Sequence, residues 1–179
     1  VVDGALRACS ADPDLHLLLV GPPEVADEVL GALPPEDRTR VAVRPVRAVV
    51  GMADAPTSAK RPDTTVRAAV AAVAEGGADA LVSAGASGAT VTAAVLGLGR
   101  WTGVRRPALV VTLPAEAGPV VLLDVGASVE ARPGTLARHA ALGAAYAATV
   151  NNVEHPRVGL LSIGTEPGKG TGRGVPPTR

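Results

Sequence analysis

Three apolar runs in this sequence end in glycine-rich turns, and that repeated junction restricts the fold more than any other feature. The clearest is Leu81-Val82-Ser83-Ala84-Gly85-Ala86-Ser87-Gly88-Ala89, after which Val91, Val95 and Leu98 recur at helical spacing. This reads as strand, turn and helix. The others follow Val120–Val125, at Gly126-Ala127-Ser128, and Val158–Ile163, at Gly164-Thr165-Glu166-Pro167-Gly168-Lys169-Gly170. A glycine without Cβ allows both a sharp turn and close approach of a ligand to the backbone. The helix start that follows offers unpaired N–H groups and a partial positive charge, which suit an anion. A single such turn is better read as a purely structural strand-to-helix bend. Three of them, all at the carboxyl ends of strands where α/β sheets bind ligands, favour a site.

The remaining chain alternates in the same way. A helix over the first eight residues is broken at Asp12-Pro13-Asp14, and Leu15–Val20 reads as a buried strand with His16 as a core or edge histidine. Pro23 opens a helix with Val25, Val29 and Leu33 on its buried side, and Pro34-Pro35 ends it. Val41–Val43 is a short strand. Asp63 is placed to cap a helix carrying Val66, Val70 and Val73, with Gly76-Gly77 as its stop. Strands at Ala108–Leu113 and Val120–Val125 are consecutive, which predicts an antiparallel pair. Pro133 opens a last helix with Leu136, Ala140, Gly143, Ala147 and Val150 on one face and His139 off it, in solvent. Alternation of this kind predicts the α/β class with a mostly parallel sheet. Residues 171–179, rich in Gly, Pro, Thr and Arg, read as a disordered tail after a domain spanning 1–170.

Composition removes several classes of function. Seventeen basic and seventeen acidic residues give no net field to steer nucleic acid. One Trp, one Tyr and no Phe leave no aromatic platform for bases. The single Cys9 forms no internal disulfide and reads as a small buried helix residue. No apolar run reaches the roughly 18 residues of a spanning helix, and no signal peptide pattern opens the chain. The expectation is a cytoplasmic protein.

The turns narrow the chemistry. Gly164 and Gly168 are separated by three residues and Gly170 follows Lys169, so this is not the nucleotide-binding G-x-x-x-x-G-K-[ST] loop. The dinucleotide fingerprint, metal-ligand spacing and a nucleophile elbow are also missing, so neither cofactor nor metal is expected. What remains is backbone N–H groups at Gly85, Gly88 and Gly126, the hydroxyls of Ser83, Ser87 and Ser128, the carboxylates Asp124 and Glu166, and the ammonium of Lys169. That inventory suits inorganic phosphate or a phosphoryl group. Asp124, inside an apolar strand, needs a partner for its charge, in a structural or a site role. On spacing alone, the segment around Lys60-Arg61 is a solvated loop; the alternative is a cleft-edge loop that offers cations to an acidic partner.

Four blocks carry a family resemblance: Ser83–Ala89, Arg106-Pro107-Ala108, Leu122–Ser128 and Pro156–Glu166. In this order the chain resembles the bacterial phosphate acyltransferases of phospholipid synthesis. The resemblance implies transfer of a fatty acyl group from acyl carrier protein to inorganic phosphate. It also implies a homodimer and a three-layer α/β/α fold like isopropylmalate dehydrogenase and phosphotransacetylase. It makes Lys169 the catalytic residue, with Asp124 and Glu166 orienting it, and it assigns Lys60 and Arg61 to the carrier protein. Family members commonly carry Asn where Ala86, Ser128 and Ser162 stand here. Their opening strand and C-terminal half fall outside this sequence, as would any amphipathic membrane anchor, so peripheral membrane association stays open. The competing expectations are a short-chain phosphotransacetylase using acyl-CoA, and an inactive remnant.

Overall fold

A computed structural model of the chain describes residues 2–128 and 132–162. It is mixed α/β and divides into two compact units, Val1–Pro107 and Ala108–Arg179.

The first unit begins with α1 (Val2–Ala11), β1 (Leu17–Gly21), α2 (Pro23–Ala32) and β2 (Val41–Pro45). The two strands are parallel, in register from Leu17 opposite Val41 to Gly21 opposite Pro45, with α2 as the crossover. Cys9, Val29, Leu33 and Val41 form the core between helices and strands, with Leu6, Leu17, Leu19 and Leu30 packed around it. Cys9 is therefore buried as the sequence suggests. Val25, expected on the same side, is 41% exposed. His16 falls just before β1 and is exposed, so it is not a core histidine.

Arg40 ties the start of this layer together. Its guanidinium donates to the carbonyls of Cys9, Asp12 and Leu15 at 2.8–3.1 Å and pairs with Asp37. The Cys9 carbonyl is one of the last in α1, and such end carbonyls lack intrahelical donors.

A 3-10 turn at Pro56–Lys60, α3 (Thr65–Ala74) and α4 (Ser87–Gly97) form the second part of this unit. Ala59, Val70, Ala89 and Ala93 make its core, with Val50, Val66, Leu81 and Ala86 against them. Small side chains let these pieces approach closely. A Cβ on Gly97 would overlap Val70 Cγ1, so α4 crosses α3 only with glycine there. Asp63 does not cap α3. The N-cap is Thr64, whose hydroxyl donates to the Arg61 carbonyl at 3.1 Å and makes no cap bond, while the Asp63 carboxylate is taken by the Arg61 guanidinium.

The expected strand at Leu81–Ser83 is not formed. The segment pairs with no strand among the described residues, and Val82 is 95% exposed. Apolar content marks a segment as able to form a strand, but a ladder needs a neighbour that local sequence does not specify.

The second unit holds β3 (Val110–Leu113), β4 (Val120–Leu123) and α5 (Pro133–Val150). The strands are antiparallel, from Val110 opposite Leu123 to Leu113 opposite Val120, as the back-to-back runs predict. The helix packs on β4, and a Cβ on Gly143 would sit 3.3 Å from Leu123 Cδ1. The small-residue face thus allows close packing, but its buried side is rotated from expectation. His139 and Ala147 are buried, whereas Val150 is 54% exposed. Through Ser162 the segment expected as a further strand is unpaired, with Leu160 and Leu161 exposed. Ile163, the third glycine turn and the tail lie outside the described residues.

Candidate anion site

In the first turn the chain is shaped by its own hydroxyls. Ser83 Oγ accepts the Gly85 N–H at 3.2 Å, and the Thr90 hydroxyl stands 3.3 Å from Ser83 Oγ and 3.2 Å from the Ala86 carbonyl. That carbonyl also accepts the N–H groups of Ala89 and Thr90 at 3.1 Å. Ala86 occupies the N-cap and has no side-chain oxygen to offer, so α4 carries no side-chain cap. Among the described residues the N–H groups of Ser87 and Gly88 have no acceptor and remain available to an anion.

Gly88 is closely packed as well. A Cβ there would meet Pro56 Cγ at 3.0 Å. Pro56 opens the 3-10 turn that ends at Lys60, and this turn packs on α4 through Ala59, which is fully buried. The structure therefore brings the Lys60-Arg61 loop against the helix that carries the first glycine turn. Lys60 is exposed and forms no ion pair among the described residues. Arg61 differs: its guanidinium meets Asp63 in a two-pronged contact at 2.8 and 3.2 Å. Hydrogen bonding to that guanidinium holds the Asp63 carboxyl below its ordinary pKa.

In the second unit the turn after β4 is organised by Asp124. Its Oδ1 accepts backbone N–H groups from Leu109 at 3.0 Å, Ala127 at 2.9 Å and Gly126 at 3.2 Å. The side chain takes over where the β3–β4 ladder ends and closes the turn around Gly126, whose φ of 133° favours glycine. Partial burial would raise the carboxyl's pKa. The donors from Ala127, Leu109 and Gly126 outweigh it, and the net shift is downward. Oδ2 is buried and has no partner among the described residues. The Ser128 hydroxyl is near enough to favour the charge, yet it closes no hydrogen bond among the described residues. The partner that Asp124 needs is thus mainly backbone, with one oxygen in reserve.

His139, which helical counting places in solvent, is instead 5% exposed, with neither ring nitrogen hydrogen-bonded among the described residues. One turn before Gly143, it lies on the side of α5 that meets β4. A buried polar group without a partner costs about 1–3 kcal/mol. Replacing His139 by Phe, which fills similar space without a polar atom, is expected to raise stability by about 1 kcal/mol. Thermal unfolding measures this, and a lower melting temperature would show that the imidazole has a partner.

Glu166 and Lys169 lie outside the described residues. Nor do those residues include any group of three or more His, Cys, Asp or Glu that could hold a metal. No described helix is long and apolar enough to cross a membrane.

Comparison with known proteins decides the family. A family model described as fatty acid synthesis protein matches residues 1–174. The chain belongs to this family. Among its relatives, a phosphate acyltransferase from Desulfitobacterium hafniense strain Y51 is 43% identical over 174 residues, covering 95% of this chain and 50% of the relative. One from Bacillus cereus strain ATCC 14579 is 40% identical over 177 residues, covering 95% and 51%. One from Synechococcus sp. strain JA-3-3Ab is 45% identical over 173 residues, covering 95% and 46%. The chain spans about half the length of these curated relatives. The family match includes all three glycine turns and the position of Lys169.

Proposed function

We propose that the whole protein transfers a fatty acyl group from acyl carrier protein to inorganic phosphate, giving acyl phosphate for phospholipid synthesis. The observation that carries this reading is 40–45% identity, over 95% of the chain, to relatives named phosphate acyltransferase. The turns support it chemically, because they supply backbone donors and leave them uncommitted at Ser87 and Gly88.

A thioester is already activated, so the protein's task is positioning and charge stabilisation. A phosphate oxygen attacks the thioester carbonyl, and negative charge gathers on the carbonyl oxygen. The carbon–sulfur bond then breaks, and the carrier's thiol leaves with a proton from solvent or from the phosphate. In this reading Ser83 shapes the first turn, while Ser87, Gly85 and Gly88 bind phosphate. Gly126 and Ser128 supply further donors from the second turn. Lys169 holds the phosphate or the developing oxyanion. Asp124 and Glu166 orient Lys169 and the turns, and the unpaired Oδ2 of Asp124 suits an ammonium partner. The exposed Lys60 meets the acidic carrier protein, with Arg61 beside it.

The wider architecture belongs to the same proposal: a three-layer α/β/α fold of which residues 1–170 are one part, working as a homodimer in the cytoplasm and at the inner face of the membrane. The experiment offers the full-length protein a carrier-protein thioester or the matching CoA thioester, at equal phosphate. The carrier thioester is expected to turn over at least tenfold faster. Preference for CoA would make the protein a phosphotransacetylase instead, and no turnover of either would leave the remnant reading.

A further inference from the structure

Ser83 and Thr90 flank the first glycine turn, seven residues apart. Thr90 belongs to the first turn of α4, which begins at Ser87. Its hydroxyl carries one proton and has two acceptors within reach, Ser83 Oγ at 3.3 Å and the Ala86 carbonyl at 3.2 Å. The Ala86 carbonyl already accepts the N–H groups of Ala89 and Thr90, each at 3.1 Å, so both its lone pairs are in use. Ser83 Oγ has taken one donor, the Gly85 N–H at 3.2 Å, and keeps one lone pair. The Thr90 proton is therefore better placed on Ser83. A serine hydroxyl ordinarily donates or accepts as its neighbour requires. Once Gly85 and Thr90 both donate to Ser83 Oγ, it has no lone pair left, and its own proton has to go to an acceptor outside this trio.

We propose that Thr90 is a positioning residue for phosphate: by filling the last lone pair of Ser83, it makes that hydroxyl an obligate donor to the anion. The unprotonated oxygens of phosphate only accept, so a hydroxyl of fixed polarity suits them and disfavours a ligand that must donate at this point. Ser83 thus adds a side-chain donor to the backbone N–H groups of Ser87 and Gly88. Ala86, at the N-cap between them, has no side-chain oxygen that could take over from Thr90. The inference rests on the acyl-transfer reading for the identity of the anion.

In the full-length protein, Thr90→Val keeps the shape of the side chain and removes its hydroxyl. It is expected to raise the KM for phosphate about five- to tenfold, the scale of one hydrogen bond. The kcat and the KM for the carrier thioester are expected to stay within about twofold of the parent, because a contact made equally in the ground state acts on binding alone. Thr90→Ser restores the hydroxyl and is expected to restore the phosphate KM. Ser83→Ala is expected to weaken phosphate at least as much as Thr90→Val. Adding Thr90→Val to Ser83→Ala is expected to cost nothing more, since Thr90 acts through Ser83. Calorimetric titration with inorganic phosphate, without any thioester, is expected to give the same order of affinities. A parent that binds phosphate but turns over no thioester would sink the acyl-transfer reading, and the titration would still decide on Thr90. Parent-like phosphate affinity in Thr90→Val would overturn the proposal and leave acyl transfer standing. Equal weakness of Thr90→Ser, or losses that add in the double variant, would also overturn it. No phosphate binding by the parent would overturn both.

Discussion

Lys169→Ala in the full-length protein is expected to cut phosphate-dependent acyl transfer by about 100- to 1000-fold, the range for loss of one donor aimed at developing charge. The reasoning is chemical. Lys169 is the one ammonium group in the three glycine turns. Backbone N–H groups orient a phosphate, but they carry only partial charge and cannot balance the full negative charge that builds during attack. Arginine in its place is expected to recover only part of the rate, because a planar fork does not reproduce a compact point charge. Unchanged melting temperature beside the lost rate separates a chemical role from a structural one. Turnover near the parent rate in Lys169→Ala would remove the residue from the mechanism.

The second large effect is on stability. Asp124→Ala leaves the N–H groups of Leu109, Gly126 and Ala127 without their acceptor, and a loss of about 2–4 kcal/mol is expected, since bonds to a charged acceptor are the stronger kind. Asp124→Asn keeps one acceptor oxygen and is expected to lose about half as much. The carboxyl's pKa in the folded protein is below the ordinary aspartate value of about 3.9. Its stabilising contribution is therefore complete above that value and is lost as pH falls through the lower, folded value. Denaturant unfolding of the parent between pH 5 and pH 2 is expected to show this acid-side loss, and Asp124→Asn to lack that part of it. Equal acid sensitivity in both proteins would mean that the three bonds do not hold the turn.

Much of the fold is legible in the order of residues alone. Helix starts at Pro23 and Pro133 follow from proline's fixed φ, and the antiparallel pair of β3 and β4 follows from two apolar runs with only a short turn between them. Four short blocks are enough to carry the family. What is not legible depends on contacts distant in sequence. Leu81–Ser83 is apolar enough for a strand, yet no partner edge meets it among the described residues. Asp63 has the right chemistry for a cap, but Arg61 competes for its oxygens. His139 lies off the small-residue stripe by helical counting, and the observed packing turns α5 to bury it. At the candidate site, Gly126 meets the backbone demand that its place in a turn suggests, with a φ of 133°. The hydroxyl of Thr90 beside Ser83 and the contact of Gly88 with Pro56 are not legible, since neither leaves a pattern in local sequence.

The central claim is that a phosphate oxygen attacks the acyl carbon and becomes the bridging oxygen of the acyl phosphate. Isotope tracing tests it most directly. Acyl phosphate made by the full-length protein from acyl carrier protein thioester and fully oxygen-18-labelled phosphate is analysed by mass. The account predicts that every oxygen bound to phosphorus keeps its label, including the one bridging to the acyl carbon. An unlabelled bridging oxygen, or no acyl phosphate at all, would contradict it.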